Sequence, residues 1–506
     1  MTENQYIEIC SACDSVLLSP DSTIECVAIP WLHVIREHPV FLVNYSAVFT
    51  EERLLVEIKR RGTEFLRNAA SRIRQLGRAM AVRGEFWSAS CELPRKVDVL
   101  IISHLLNASQ AGGQDFYFGA LPEELSRMGY SVLVALLNQS SEPGSAFIGR
   151  WKPEMAPRVV FSNSLGILAE VSLDRKLRAE SARLLRLAQA KCEGVGRRVV
   201  LRAAREARFG QARTTRRLGV QIGALVSKCQ PRAVVVLHEG HAWERIAFAA
   251  AREAHPGVRC MGYQHALLFR LQHAIRRNLG GRYDPEHVLT SGRLGRRLLG
   301  EAKGLKGLTT SVLGSSRGFS GKVAPRSGDK AVAGRCLVLP EGIVSECHLL
   351  FEFSIRCAEI CPEIEFIWRL HPLVTFDSLQ AGNSRLSNLP PNVRRSVATF
   401  ESDLAGCAWA LYRGTTAIVQ AVGAGLRPVY LRISGEMTID PLYELEGWKA
   451  SVETPDDFKK LAVLEVATLQ NGSHAPGEEL VRDYCQGMFE PFKPEELARL
   501  IGPASS

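Results

Sequence analysis

The sequence predicts an α/β protein of two Rossmann-like βαβ domains facing a cleft, preceded by a mixed, largely helical N-terminal extension. Three observations predict it. At 506 residues the chain exceeds one ordinary core. Short, wholly apolar runs recur, each ending in a polar turn and followed by a helix-patterned segment, the mark of strands buried on both faces. A stretch rich in Gly, Ser and Lys, residues 301–333, separates two sets of such runs and reads as a linker.

Taken in order, residues 1–94 carry an apolar entry at Ile29–Ile35 and a long amphipathic helix pattern over 50–80, but no recognisable chemistry. The first domain, 95–300, opens with Val97–Ser103, a helix pattern at Ala120–Met128, Gly129 and a second apolar run at Tyr130–Leu137. That is strand, helix and strand, with His104 and Gln114-Asp115 at the loop positions where open α/β sheets hold ligands. Val159–Phe161 is a further strand, residues 175–228 are helical and basic, and Ala233–Leu237 runs into His238-Glu239-Gly240-His241 before another helix. Arg259–His265 and Val288–Gly292 repeat the strand-and-tip form. The second domain, 334–470, restarts at Cys336–Gly342 and continues through Glu365–Leu370 with His371-Pro372 at its end. Its clearest unit is Ala408–Leu411, then Arg413-Gly414-Thr415-Thr416, a helix, Gly425, and Pro428–Leu431. Residues 471–506 form a helical tail.

The formal charge is +10, with Arg outnumbering Lys, in clusters at Arg197-Arg198, Arg213–Arg217, Arg276-Arg277 and Arg293–Arg297. Nucleic acid, anionic lipid and phosphorylated substrates are the partners such a balance suits. No nucleic-acid module or aromatic-laced basic stripe is present, so nucleic acid is set aside and loose membrane association preferred. No apolar run is long enough to span a bilayer and Met1-Thr2-Glu3-Asn4 lacks a basic leader, so the expectation is a cytoplasmic protein, at most at the cytoplasmic face of a membrane. Thirteen scattered cysteines read as reduced thiols, and the lone Cys10-Ser-Ala-Cys13 has no second pair to complete a zinc site.

Four turns of the second domain end strands and are candidates to converge on one anion: Glu341-Gly342, His371-Pro372, Arg413-Gly414-Thr415-Thr416 and the 436–440 loop, with the strand before His371 read as adjacent to the one before Thr415-Thr416. Gly414 admits a ligand to the backbone, the Thr hydroxyls add donors, and helix amides at that turn favour a phosphate. The competing use of Thr415 or Thr416 is as a plain helix cap. In the first domain Glu239 and His241 crowd a strand-to-helix junction and His265 ends a strand. Glu239 first, then His241, could take a proton from an acceptor hydroxyl, and His265 could contact the acceptor or the leaving group. Glu244 reads as helix surface. His238-Glu239-Gly240-His241 has the wrong spacing for a zinc-binding HExxH, so no metal is expected. The dehydrogenase, P-loop and hydrolase motifs are missing.

The two-domain layout, with Arg413–Ala417 leading to Gly425–Val429, resembles GT-B glycosyltransferases. His371-Pro372 followed by Thr415-Thr416 is similar to bacterial sialyltransferases and capsule Kdo transferases, over about residues 96–470. The resemblance implies that His371, Thr415 and Thr416 hold the phosphate of a CMP-activated sugar. It further implies that the chain acts in surface-carbohydrate (lipopolysaccharide, capsule or O-antigen) synthesis, with no cofactor beyond the nucleotide-sugar donor. The acceptor it implies is a glycan or glycolipid hydroxyl. The acidic pair before Gly in sialyltransferases is reduced here to Glu239-Gly240, with His238 before it. Alternatives sharing the architecture or the nucleotide are a UDP-sugar 2-epimerase, a CDP-alditol phosphotransferase and a non-catalytic glycan-binding protein.

Overall fold

The computed structural model describes residues 1–35, 39–50, 77, 79–80, 86–106, 110, 112–140, 142–190, 192–317, 334–371, 374–470 and 478–504. Pro372, most of the helix expected over 50–80 and the second part of the expected linker, 318–333, lie outside the described residues.

The chain begins with α1 (Glu3–Leu17), α2 (Ile24–Val27) and α3 (Pro39–Ser46). The first sheet follows, with β1 (Trp87–Ala89), β2 (Val99–Leu105), α4 (Leu121–Arg127), β3 (Val132–Asn138) and β4 (Arg158–Phe161). Three helices stand between β4 and the next strand: α5 (Ile167–Ala190), α6 (Gly194–Glu206) and α7 (Gly210–Cys229). Then come β5 (Ala233–Leu237), α8 (Ala242–Ala254), β6 (Arg259–Gln264), β7 (His287–Thr290), α9 (Arg293–Gly300) and β8 (Thr309–Val312). The strand order is β1-β4-β3-β2-β5-β6-β7-β8, parallel except for the antiparallel pair β1–β4. The sheet thus reaches past both expected borders: β1 comes from the extension and β8 from the expected linker.

The second sheet is built from β9 (Arg335–Leu339), α10 (Val344–Ile360), β10 (Glu365–Trp368), α11 (Phe376–Gly382), β11 (Val393–Arg395), α12 (Phe400–Gly406), β12 (Trp409–Tyr412), α13 (Ala417–Gly423), β13 (Arg427–Leu431) and β14 (Ala450–Val452). Its order, β11-β10-β9-β12-β13-β14, is parallel throughout. The fold class read from the sequence, two Rossmann-like parallel-sheet domains, is the one observed. In each sheet the strand order reverses once, between β2 and β5 and between β9 and β12, and the crevice at that reversal is where doubly wound sheets bind ligands.

The closing helices are α14 (Pro455–Gln470), α15 (Glu478–Met488) and α16 (Pro494–Ile501). They are no free tail, because the chain returns to the first domain. Ser315 and Lys493 donate backbone amides to Glu490 (2.7 Å) and Leu313 (2.7 Å), and Leu497 and Ile501 enter the core under β2 and β3. Gly314 has φ +91°, and a Cβ there would stand 2.0 Å from the Pro491 carbonyl oxygen, so glycine is what lets this crossing close.

Much of the basic excess points inward. Arg213 pairs with Asp174 at 2.8 Å, Arg217 with Glu170 at 2.9 Å, Arg216 with Glu25 at 3.2 Å and Arg277 with Asp14 at 2.7 Å. Arg245 is fully buried against Asp284 and donates to the carbonyls of Ala274 (2.8 Å) and Arg277 (2.9 Å). Breaking a buried pair strands its partner charge. Arg245→Ala should therefore cost about 3–5 kcal/mol of unfolding free energy, and Arg245→Met with Asp284→Leu should recover much of it, both read from urea melts.

Candidate active site

The first domain's reversal point is a turn held by one carboxylate. Glu244, on the first turn of α8, accepts the backbone N–H groups of Glu239 (2.9 Å), Gly240 (2.8 Å) and His241 (3.0 Å), and its Oε2 lies 3.1 Å from His238 Nδ1. It is 1% exposed, so the sequence expectation of a solvated helix face is corrected: this carboxylate accepts the N-cap amide of its own helix and the two loop amides before it. Burial alone would raise its pKa. The His238 hydrogen bond and the charge of His241 outweigh that and hold the carboxyl below its usual range. Gly240 has φ +91°, and a Cβ there would lie 2.4 Å from the carbonyl carbon of Ala274.

The turn presents Glu239, His241 and, from the end of β6, His265 together. Glu239 Oε2 lies 3.2 Å from His241 Nε2 and Oε1 lies 3.5 Å from His265 Nε2. The Glu239 side chain is 4% exposed and that of His241 35%, so the carboxylate sits behind and the imidazole faces open space. A buried carboxylate on an imidazole fixes its orientation and stabilises its protonated form, which prepares the ring to take a proton. His104, at the end of β2, completes the group. Its Nδ1 is 2.8 Å from Gln139 Nε2, and its ring stands edge-on to Trp243 at 5.0 Å. Burial, then the charges of His241 and His265, push it down to about 4.

These residues line a cavity of about 1270 Å³. Its floor is the carboxyl ends of β2 to β6, one wall is α6 and α7, and its roof is the N-terminal segment through Trp31, His33, Phe41 and Tyr45. The extension, in which the sequence showed no chemistry, is therefore part of the site. It is tied down by Arg277, which reaches His33 Nδ1 (2.9 Å) and Asp14 (2.7 Å), and by His273 on Asp14 (2.8 Å). Among the described residues the lining runs from Pro30 to His265, so the turns of the second domain do not line it.

In the second domain, Glu341-Gly342 follows β9 and Arg413–Thr416 follows β12, so both tips flank the reversal point. His371 follows β10. The expectation that its strand is adjacent to the one bearing the threonines is corrected: β9 lies between, which separates the tips by about two strand spacings, roughly 10 Å. His371 packs over Gly342, where a Cβ would meet Nδ1 at 2.6 Å, so this glycine seats the imidazole. The Arg413 guanidinium is occupied by Glu346 (3.0 Å) and Glu436, tying α10 to the 436–440 loop. Thr415 is buried and its hydroxyl accepts the Ala417 amide at 3.3 Å, a local cap; Thr416 and Gly414 complete the turn. In the 436–440 loop, Asp440 accepts the Tyr412 hydroxyl at 2.8 Å and pairs with Lys449 at 2.5 Å.

One cation was missed because it stood in the presumed linker. Arg317, just past β8, bears on His371 from the first domain: burial first, then the Arg317 charge, lowers the His371 pKa. Its guanidinium also lies over the Phe489 ring at 5.9 Å. Strand β8, a short polar edge segment (Thr-Thr-Ser-Val), gave no apolar signal that would have located it. Among the described residues no group of three or more His, Cys, Asp or Glu side chains is placed to hold a metal ion, and no helix is long and apolar enough to cross a membrane.

No family model matches the chain, and no curated protein does either. Solved structures do. The glycosyltransferase of kitacinnamycin is 12% identical, with 81% of this chain and 100% of that one covered, at a TM-score of 0.45. MurG of Acinetobacter baumannii is 11% identical over 80% and 98%, at 0.45. UDP-N-acetylglucosamine 2-epimerase from Rickettsia bellii is 12% identical over 80% and 96%, at 0.41. The chemistry rests on the residues alone.

Glu244→Ala would leave buried amides without an acceptor and should cost about 3 kcal/mol in urea melts, with Glu244→Gln costing less. The pH dependence has a definite sign. His104, His33 and His238 are all held below the free imidazole value, chiefly by burial, so unfolding takes up protons as the medium is acidified. Stability should fall as pH drops from about 6.5 toward 4, and His104→Gln should flatten that slope.

Proposed function

We propose that this protein is a GT-B type glycosyltransferase, moving a Kdo-like or nonulosonic sugar from a CMP-activated donor to a hydroxyl of a surface glycan or glycolipid. The observation that carries the reading is the carboxylate–imidazole group of Glu239, His241 and His265 at one reversal point, open to a cavity large enough for a sugar acceptor. In this reading His241 takes the proton from the acceptor hydroxyl as the new glycosidic bond forms. Glu239 orients it and balances the imidazolium, and His265 steadies Glu239 from the other side. The donor bond breaks toward its phosphate. The departing negative charge meets His371 and Arg317 from opposite domains, with the Arg413–Thr416 turn and Glu341-Gly342 shaping the nucleotide side. A cation in this role makes the step independent of metal.

Thermal shift with CMP, CTP, UDP and GDP is the first test. Stabilisation by cytidine nucleotides is expected, and its loss in His371→Ala follows if His371 holds the phosphate. A response to UDP alone would favour a UDP-sugar donor or an epimerase, no response a glycan-binding protein, and the product mass separates sugar transfer from alditol-phosphate transfer. His241→Ala and Glu239→Gln should each lower transfer by about 10²–10⁴-fold with the fold intact, measured as kcat/KM. Unchanged transfer in both would remove these residues from the mechanism.

A further inference from the structure

Among the described residues, helix α5 carries a face that no other element covers. Its inward side packs Leu173, Leu177, Leu184 and Ala188, and its carboxylates are also accounted for: Glu170 pairs with Arg217, Asp174 with Arg178 and Arg213, and Glu180 with Arg183. The outward side holds the opposite chemistry. At its first turn Ile167, Leu168 and Val171 are exposed, Leu168 to 86%. Arg175, Lys176 and Arg186 follow, all exposed, and among the described residues none of the three is in an ion pair. On a helical wheel Leu168, Val171, Arg175 and Arg186 fall along one stripe. An isolated Leu needs no explanation, but an apolar turn continuous with an unpaired basic stripe free of exposed carboxylates does.

We propose that this face is a docking surface for an anionic lipid bilayer, with the apolar turn of Ile167, Leu168 and Val171 entering the headgroup layer and the basic stripe lying on the phosphates. Charge complementarity selects this occupant. Two copies of so uniformly positive a face repel one another. A nucleic acid gains nothing from the apolar turn, and the stripe offers no aromatic ring to stack on. The position gives the docking a use. Ser162 and Asn163 line the large cavity and, after residues 164–166, the first turn of α5 follows, so a bilayer docked on that turn would lie near the cavity rim. An acceptor anchored in the bilayer would reach the cavity without leaving it. The inference stands on residues that take no part in the proposed transfer, so either can fail alone.

The test is flotation of the full-length protein with phosphatidylcholine vesicles, with and without phosphatidylglycerol, at about 0.15 M salt. Binding is expected only when phosphatidylglycerol is present. Arg175→Glu with Lys176→Glu should weaken it by at least about 25-fold, roughly five-fold per lost cation. Leu168→Glu with Val171→Glu should weaken it as well, although the basic stripe remains. All four positions are exposed, so melting temperatures should not move. The proposal is overturned by equal binding to neutral vesicles, by anionic binding that these variants leave intact, or by a single-stranded RNA oligonucleotide that binds through Arg175 and Lys176 while the vesicles do not.

Discussion

A single buried carboxylate sets the geometry on which the rest of the site stands. Glu244 gathers three successive amides and one imidazole nitrogen, and so holds the chain leaving β5 in a tight turn that ends at the N-cap of the next helix. The turn is then pressed against Ala274 through Gly240, whose missing side chain is the condition for contact. From Ala274 the constraint travels outward. Arg245 holds the carbonyls of Ala274 and Arg277, and Arg277 holds Asp14 and His33. Turn, connecting loop and N-terminal roof are therefore joined by one close backbone contact and a series of charge-assisted bonds, and the cavity lies among them.

Much of the fold was legible because strands buried on both faces are written as unbroken apolar runs, and Val99–Leu105 or Ala233–Leu237 admit few other readings. Strand order is not written locally. His371 and the two threonines looked like neighbours because both end strands of the same half, and only the pairing of β9 with both β10 and β12 separates them. Glu244 was misread for a similar reason: its helix position says which residues flank it, not that three amides of the preceding turn would fold over it. The edge strand β8 escaped notice because Thr-Thr-Ser-Val is mostly polar and has no apolar pattern to show.

The arginines make the same point from the electrostatic side. Composition gave a positive excess and clusters to go with it, yet Arg213, Arg216, Arg217 and Arg277 are spent inside, each against a carboxylate far away in sequence. The positive charge on α5 that has no ion-pair partner among the described residues comes instead from residues that formed no eye-catching cluster. Side chains that look alike in sequence are divided into internal ties and external field by partners that only the tertiary structure supplies.

The return of the last helix to the first domain has a consequence for how the molecule is made. Leu497 and Ile501 seal the apolar surface shared with Val99, Ile101 and Val134, while Arg232 and Arg259 clasp the backbone carbonyls of Leu500, Ile501 and Pro503. During synthesis the first domain is finished long before its own lid is translated. A nascent chain must carry an unsealed core until residues 497–501 leave the ribosome. A premature stop there would yield two assembled sheets and a permanently sticky flank.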